Sequence, residues 1–402
     1  MKSIGIILGR GVEGCGVSKM ALEQAKWYAK NGYSCSVFAN ADKSWSRKES
    51  HSFDGLDFHH VKFSDESEIE NILKRCSGME YVIIDSVPSK SHKEASIGGF
   101  NKLVQEIKSP IVFVQLDHSI HSIVRNAGMM EAVDKSDVIF SFGVDNDFSR
   151  KIKKEAKKAG KEFDKEIFTY SVGFPFDEIR KQYWKPVEEQ DLSLNRWIGR
   201  CSGWKGYKLM FDFHNKYLKP ANYATIFEGI ERSPHYLTFK QTGDFHYHIG
   251  DNPNSTPYQV GEDPYVFGIY NNHEMMERMS VSGFGYQLSI LKPRFITNQV
   301  EYTHCEIVAA GAIPVFRKAW GDTALHRTLN VPLTQCQNTG TIWLDETNNQ
   351  AAFDQLHKLT NDPIMRNEWR EMAFDFYKNH QDSDHVLRDM HNKITNKLST
   401  QE

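Results

Sequence analysis

The run EYTHCEIVAAGAIPVF, Glu301 to Phe316, reads as a helix that passes directly into a buried strand. Its small residues, Ala309 and Ala310 among them, let a helix lie close against a sheet. A glycine just past a helix end takes the left-handed conformation that side chains resist, so Gly311 marks the stop. Pro314 then leads into an apolar strand over Ile313–Phe316. Glu306 stands five residues before Gly311, an acidic group in an otherwise apolar helix and a candidate for holding a ligand. A helix that feeds a buried strand is the building block of a doubly wound α/β protein.

The same alternation extends toward the N-terminus. Apolar runs at Ile4–Leu8, Ser34–Phe38, Tyr81–Ile84, Ile111–Leu116, Val138–Phe142 and Ile167–Val172 predict strands. Amphipathic stretches at Ser18–Asn31 and Glu66–Cys76 predict helices between them, which argues a parallel sheet. Residues Phe174–Leu194, with proline, charge and no clear period, are expected to form a linker. Strand patterns resume at Trp197–Gly199, Thr225–Glu228 and Ile313–Phe316, and helical patterns fill Gln350 to Leu398. The expected layout is an α/β protein with two Rossmann-like domains facing across a cleft. They would span residues 1–180 and 181–370, with a helical segment, 371–402, packing back on the first.

Composition narrows the function. The chain has 402 residues, 49 basic against 52 acidic, and a net charge of −3, so no global polycation advertises a nucleic-acid partner. Such a partner would need a local basic surface; Arg150–Lys165 is one candidate, although a solvated helix face reads as well. No run approaches the ~18 apolar residues of a membrane helix, and the N-terminal MKSIGIILGRG reads as a first strand. The six cysteines are scattered without a CxxC pair, as expected for reduced thiols in a cytoplasm.

Four constellations carry chemistry. In GRGVEGCGVSK, Gly9–Lys19, four glycines including Gly16 separate a strand from a helix, which suits close backbone approach to a phosphate or sugar, or simply a tight turn. Glu23 follows one turn into that helix and could face the same cleft. In NRWIGRCSGWKG, Asn195–Gly206, Arg200 and Lys205 flank a glycine-containing turn and could clamp a diphosphate, or be two exposed cations. In SVSGFGYQL, the residues Ser282, Gly283, Phe284 and Gly285 suggest backbone amides turned into a cleft, or a plain turn before a helix. With Glu301 and Glu306 they would bracket a sugar and a ribose, although either carboxylate could instead cap a helix or meet a surface cation. In QLDHSIH, Gln115–His121, Asp117 follows a strand end, where open α/β sheets bind ligands, and could take a proton from an attacking hydroxyl. Asp117, His118 and His121 also look superficially like metal ligands, as do His246 and His248; a capping Asp and ordinary histidines are the simpler reading.

These blocks together resemble the T-even phage DNA α-glucosyltransferases and the related arabinosyltransferases, which sugar 5-hydroxymethylcytosine. The similar runs are collinear over most of the chain. They include GVEGCGVSK with ALEQ, SVPS, Asp117–His118–Ser119 with Arg125–Asn126, SDVIFS, NRWIGR with WKG, EGIERSP, EMMERMSVSGFGYQLS, EYTHCE with GAIPVF, and HQDS. The resemblance implies a GT-B fold, a UDP-sugar donor, retention of anomeric configuration, and double-stranded DNA whose modified cytosine leaves the stack. By matching position, Arg200 and Lys205 would hold the diphosphate and Glu306 the ribose. Glu301 and the Ser282–Gly285 backbone, with Gly16, would line the donor. Asp117 would meet the acceptor hydroxyl, with Glu23 nearby and His118 and Arg125 toward DNA.

One departure bears on the sugar. In the DNA α-glucosyltransferase pattern that it resembles, a histidine stands before this Asp; here it is Leu116. Leucine cannot bond a hexose 6-hydroxyl, a loss of roughly 1–3 kcal/mol for a buried group left unpaired. A pyranose pentose has no such hydroxymethyl group, so UDP-arabinose is slightly favoured over UDP-glucose. No cofactor is expected beyond the UDP-sugar; a divalent metal is possible but not indicated. The expected location is the host cytoplasm, with no membrane partner. Rival expectations are a modified-base DNA-binding protein without transferase activity and a GT-B enzyme with a non-DNA acceptor.

Overall fold

The computed structural model describes residues 2–11, 16–42, 55–88, 93–115, 129–142, 147–158, 160–199, 206–229, 246–249, 272–289, 301–320 and 339–400. Two parallel sheets organise them. The first takes β1 (Ser3–Leu8), β2 (Ser34–Asn40), β3 (Asp57–Val61), β4 (Tyr81–Ser86), β5 (Ile111–Gln115), β6 (Val138–Phe142) and β7 (Ile167–Tyr170) in the order β3-β2-β1-β4-β5-β6-β7. Helices α1 (Gly16–Lys30), α2 (Glu66–Cys76), α3 (Glu94–Glu106), α4 (Met129–Lys135) and α5 (Asp147–Lys158) connect them, followed by α6 (Phe176–Tyr183).

The second sheet takes β8 (Asp191–Gly199), β9 (Ala224–Gly229), β10 (His246–Ile249), β11 (Ser282–Gln287), β12 (Ile313–Arg317) and β13 (Ile342–Leu344) in the order β10-β9-β8-β11-β12-β13. Its helices are α7 (Tyr207–Phe213), α8 (Asn272–Ser280) and α9 (Tyr302–Ala310). Helices α10 (Gln350–Asn361), α11 (Pro363–Gln381) and α12 (Ser383–Ser399) close the chain. In both sheets the strand order reverses once, between β1 and β4 and between β8 and β11. Crevices for ligands open beyond the carboxyl ends of strands at such points.

Burial explains the strand sequences. Ile4, Ile6, Ile7 and Leu8 of β1 are all fully buried, as expected for strands covered on both faces. Gly311 ends α9 at φ 86°, and β12 follows with Pro314 placed before β13 begins to pair at Val315.

The structure departs from the sequence reading in three places. The stretch Phe174–Leu194 is no bare linker: Phe176, Ile179 and Tyr183 bury one face of α6, and β8 already begins at Asp191. The polar segment Asp57–Val61 forms an edge strand that the sequence pattern missed. Finally, Ser282–Gly285 is neither turn nor helix start but the first part of β11, a central strand buried along its whole length.

The last two helices tie the halves together. Helix α11 packs on α9 and β12, whereas α12 packs on α1 and β6. Trp27 Nε1 donates to Asp384 (2.9 Å), and His391 bridges the Tyr81 and Tyr33 hydroxyls at 2.7 and 3.0 Å. A single apolar cluster therefore runs from the β1–β4 face through α1, α6 and α9 to Phe374, Tyr377 and Ile394. Two buried arginines brace the crossing. Arg366 donates to the carbonyl of Gly283 and to Gln190, whose amide in turn donates to the carbonyls of Ser280 (2.9 Å) and Gly311 (3.0 Å). Arg370 donates to Lys185 O (2.7 Å) and lies 4.3 Å over the Trp184 ring.

Candidate active site

The site is built where the two reversal points meet. At the end of β1 the chain turns sharply: Gly9 N donates to Ser86 O (2.9 Å), Arg10 N to the Ser86 hydroxyl (3.2 Å), and Gly11 N back to Leu8 O (2.9 Å). Asn40 Nδ2, from the end of β2, holds Gly9 O at 2.9 Å and Ser96 Oγ at 3.0 Å. A Cβ at Gly9 would lie 2.5 Å from Ser86 O, so only glycine permits this approach of β1 to β4. Helix α1 then begins at Gly16.

The other sheet supplies the carboxylates. Glu301 precedes the first turn of α9, and its backbone N donates to His304 Nδ1 (3.0 Å). Its side chain accepts from Gln287 Nε2 (2.8 Å) and, more distantly, from Ser289 Oγ (3.5 Å). Gln287 Oε1 also accepts from the N and Oγ of Ser289 (3.2 and 3.0 Å), so one buried amide fixes both the carboxylate and the end of β11. One turn on, Glu306 is buried and ion-paired with Lys19 of α1. The Lys19 ammonium also lies 5.8 Å over the ring of Tyr302, whose hydroxyl donates to Gly173 O (3.1 Å). Carboxylates oriented by donors and aimed along a helix can accept hydrogen bonds from vicinal hydroxyls.

Glu23 sits one turn beyond Lys19 and is buried. Burial, which disfavours the charged form, pushes its carboxyl up to about 7, against a smaller opposing effect of Lys26 at 3.5 Å. It is close enough to Tyr302 to help raise that phenol's pKa. A group of this kind can hold or release a proton near neutrality.

Asp85, at the end of β4, is buried and likewise pushed up to about 7 by burial. Gln24 Nε2 donates to its Oδ1 (3.2 Å), while Asp85 Oδ2 and Gln24 Oε1 have no hydrogen-bond partner. A raised acid favours the fold below the unfolded-state value of 3.8, and that contribution is lost as pH climbs toward 7. Asparagine at this position would never charge and would supply the donor that Gln24 Oε1 lacks. Asp85→Asn should therefore raise the urea midpoint, with a gain that grows between pH 5 and pH 8 to about 2–3 kcal/mol. A gain that is the same at both pH values would refute the cause given.

The expected site residues divide clearly. Glu306 and Glu23 lie where α1 meets α9, Glu301 stands just before α9 against Gln287 and Ser289, and Gly16 opens α1. The backbone of Ser282, Gly283, Phe284 and Gly285 does not join them, which corrects the sequence expectation. Its strand is laddered on both sides, to β8 and to β12. The Ser282 hydroxyl bonds Arg278 O and Arg196 Nε (both 2.7 Å), Gly283 O is taken by Arg366, and Gly285 faces Ile307 and Met279. These residues occupy the start of β11, whereas the cleft lies at its end. Gln287 and Ser289 are the β11 residues that reach Glu301. Leu116, Asp117, His118, Arg125, Arg200 and Lys205 fall outside the described residues, as do His121 and the tip of the glycine loop. Lys19, Gln287 and Ser289 went unread in sequence; all three lie at or near the end of a quoted motif, but none belongs to a residue pattern with fixed chemistry.

The basic stretch 150–165 is partly occupied. Lys158 pairs with Glu155 (2.8 Å), Lys161 with Asp134 (2.7 Å), and Lys165 donates to the carbonyls of Asp134 (2.5 Å) and Ser136 (2.8 Å). Among the described residues no cluster of three metal-ligating side chains occurs, and no helix is long and apolar enough to cross a membrane.

A family model described as DNA alpha-glucosyltransferase matches residues 15–364. The DNA alpha-glucosyltransferase of Enterobacteria phage T4 is 39% identical over 97% of this chain and 99% of its own length. A solved alpha-glucosyltransferase in complex with UDP and a 13-mer DNA containing an HMU base superposes with a TM-score of 0.84. Its identity is 37%, and the match covers 98% of this chain and 99% of that one. Sucrose-phosphate synthase from Thermosynechococcus elongatus, at 11% identity and full coverage of both chains, has a TM-score of 0.57, which places the two sheets in the GT-B fold.

Proposed function

Because this chain belongs to the DNA α-glucosyltransferase family, we propose that it moves a sugar from a UDP-sugar to the hydroxymethyl group of 5-hydroxymethylcytosine in double-stranded DNA, with retention of configuration. The observation that carries this reading is the carboxylate pair on α9, Glu301 and Glu306, set by Gln287 and Lys19 at the meeting of the two strand-order reversals. Glu306 accepts the ribose hydroxyls and Glu301 those of the sugar. Arg200 and Lys205 neutralise the diphosphate as the bond to the sugar breaks, which is where negative charge develops.

On the acceptor side, Asp117 orients the attacking hydroxyl, and the leaving phosphate helps take its proton in a front-face attack. Glu23, pushed up to about 7, serves as a proton-holding group beside that path. The target base leaves the duplex stack, because a hydroxyl on a stacked base cannot enter a cleft between two domains. His118 and Arg125 are assigned to DNA contact by the family resemblance alone.

The sugar is assigned through Leu116. An apolar residue where the glucosyltransferase pattern has histidine favours a pentose, arabinose, over glucose. Glucose is the second reading, favoured by the 39% identical relative named for it. Intact-mass measurement on hydroxymethylcytosine DNA with each donor in turn decides between them. A pentose increment with UDP-arabinose and little hexose increment supports the first, and Leu116→His should then raise glucose use relative to arabinose at least tenfold. An unchanged ratio would remove Leu116 as the sugar gauge. No increment from either donor would overturn the transferase reading.

A further inference from the structure

We propose that Lys19 is a donor-site residue contributed by the first sheet: it orients Glu306 across the interface, so that nucleotide affinity depends on contact between the two halves. The inference rests on the assignment of Glu306 to the ribose. Lys19 lies on the first turn of α1, which follows β1 of the first sheet, while Glu306 lies on α9, which leads into β12 of the second. Their ion pair joins residues 287 positions apart.

Three features make this pair more than a surface contact. Only 17% of the Lys19 side chain and 4% of the Glu306 side chain is exposed, so the carboxylate depends on this ammonium to offset its desolvation. The same ammonium lies over the Tyr302 ring, which is anchored to Gly173 and packs on Met20. Lys19 is thereby held along α9 at positions 302 and 306, one helical turn apart. Finally, the remaining neighbours of Glu306 on α9 are apolar: Cys305, Ile307, Val308 and Ala309 are all buried. A ribose that approaches Glu306 meets a carboxylate already aimed by a group from the opposite sheet. Displacement of α1 from α9 would leave that carboxylate unaimed.

The test is UDP binding by titration calorimetry on the full chain, with melting temperature recorded for every variant. Lys19→Met should weaken UDP at least tenfold, and Lys19→Arg, which keeps the charge, should recover most of that loss. Glu306→Gln should weaken UDP similarly, and the Lys19→Met/Glu306→Gln double variant should bind no more than about twofold worse than the weaker single. Steady-state rates at saturating DNA should show the Lys19→Met effect mainly in the donor KM. UDP affinity within twofold of the parent in a folded Lys19→Met protein would overturn the proposal, as would losses that multiply in the double variant. If Lys19→Met weakens UDP but Glu306→Gln does not, the ribose assignment fails instead.

Discussion

Glu306→Ala is expected to raise the donor KM by about 10–100-fold while leaving kcat within about fivefold. A carboxylate that accepts ribose hydroxyls contributes roughly 1.5–3 kcal/mol per charged hydrogen bond. The ribose lies away from the breaking bond, so this energy is felt equally in the bound substrate and in the transition state. Uniform binding of that kind appears in KM. The fold should also suffer, since the variant leaves Lys19 without its carboxylate beneath a largely closed surface. Removal of one partner from a buried pair costs about 3–5 kcal/mol, and the partial exposure of Lys19 puts this case at the lower end. Steady-state kinetics at saturating DNA and urea denaturation measure the two effects separately. A donor KM within threefold of the parent would remove Glu306 from the donor site.

Gly206→Ala should be worse, because it strikes two loops at once. Gly206 caps α7 at φ 75°, a left-handed conformation that costs other residues about 1 kcal/mol. Space is the larger problem. A Cβ there would lie 1.8 Å from Leu288 O and 2.6 Å from its carbonyl carbon, and backbone cannot step aside as a side chain can. Leu288 stands between Gln287 and Ser289, which hold Glu301, while Gly206 directly follows Lys205. Relief of the clash must move the start of α7, the Gln287–Ser289 segment that holds Glu301, or both. Misplacement by about 1 Å near reacting groups can cost about a hundredfold in rate, and the strain should lower stability by about 2–3 kcal/mol. Gly78→Ala is the control: φ is 84° but nothing lies within 4 Å, so only the conformational cost should appear and transfer should be unaffected.

Legibility in the sequence followed burial. Strands buried on both faces, such as Tyr81–Ser86 and Val138–Phe142, announce themselves as apolar runs. The edge strand Asp57–Val61 is half polar because one side faces solvent, so its sequence carries no run. SGFGYQ misled for the opposite reason. Its glycines are there because the neighbours come close: at Gly285 a Cβ would meet Ile307 and Met279 at 2.6 and 2.8 Å, and at Gly283 it would meet Leu192 O at 2.7 Å. Glycine that makes room inside a sheet reads the same as glycine that makes a turn. In the site, the carboxylates were legible because acids in an apolar helix are conspicuous. Lys19 and Gln287 were not, because what marks them is a partner 287 or 14 residues away.

The late position of α12 in the chain has a consequence for synthesis. Tyr170 completes the first sheet, yet α12, which covers Trp27, Tyr28 and Tyr81, does not begin until Ser383. A nascent chain therefore carries a finished set of strands with an open aromatic face while the entire second sheet is translated. Exposed apolar surface of that kind invites aggregation and chaperone capture. Emergence of α12, and not completion of the first sheet, is the moment at which both halves can become native.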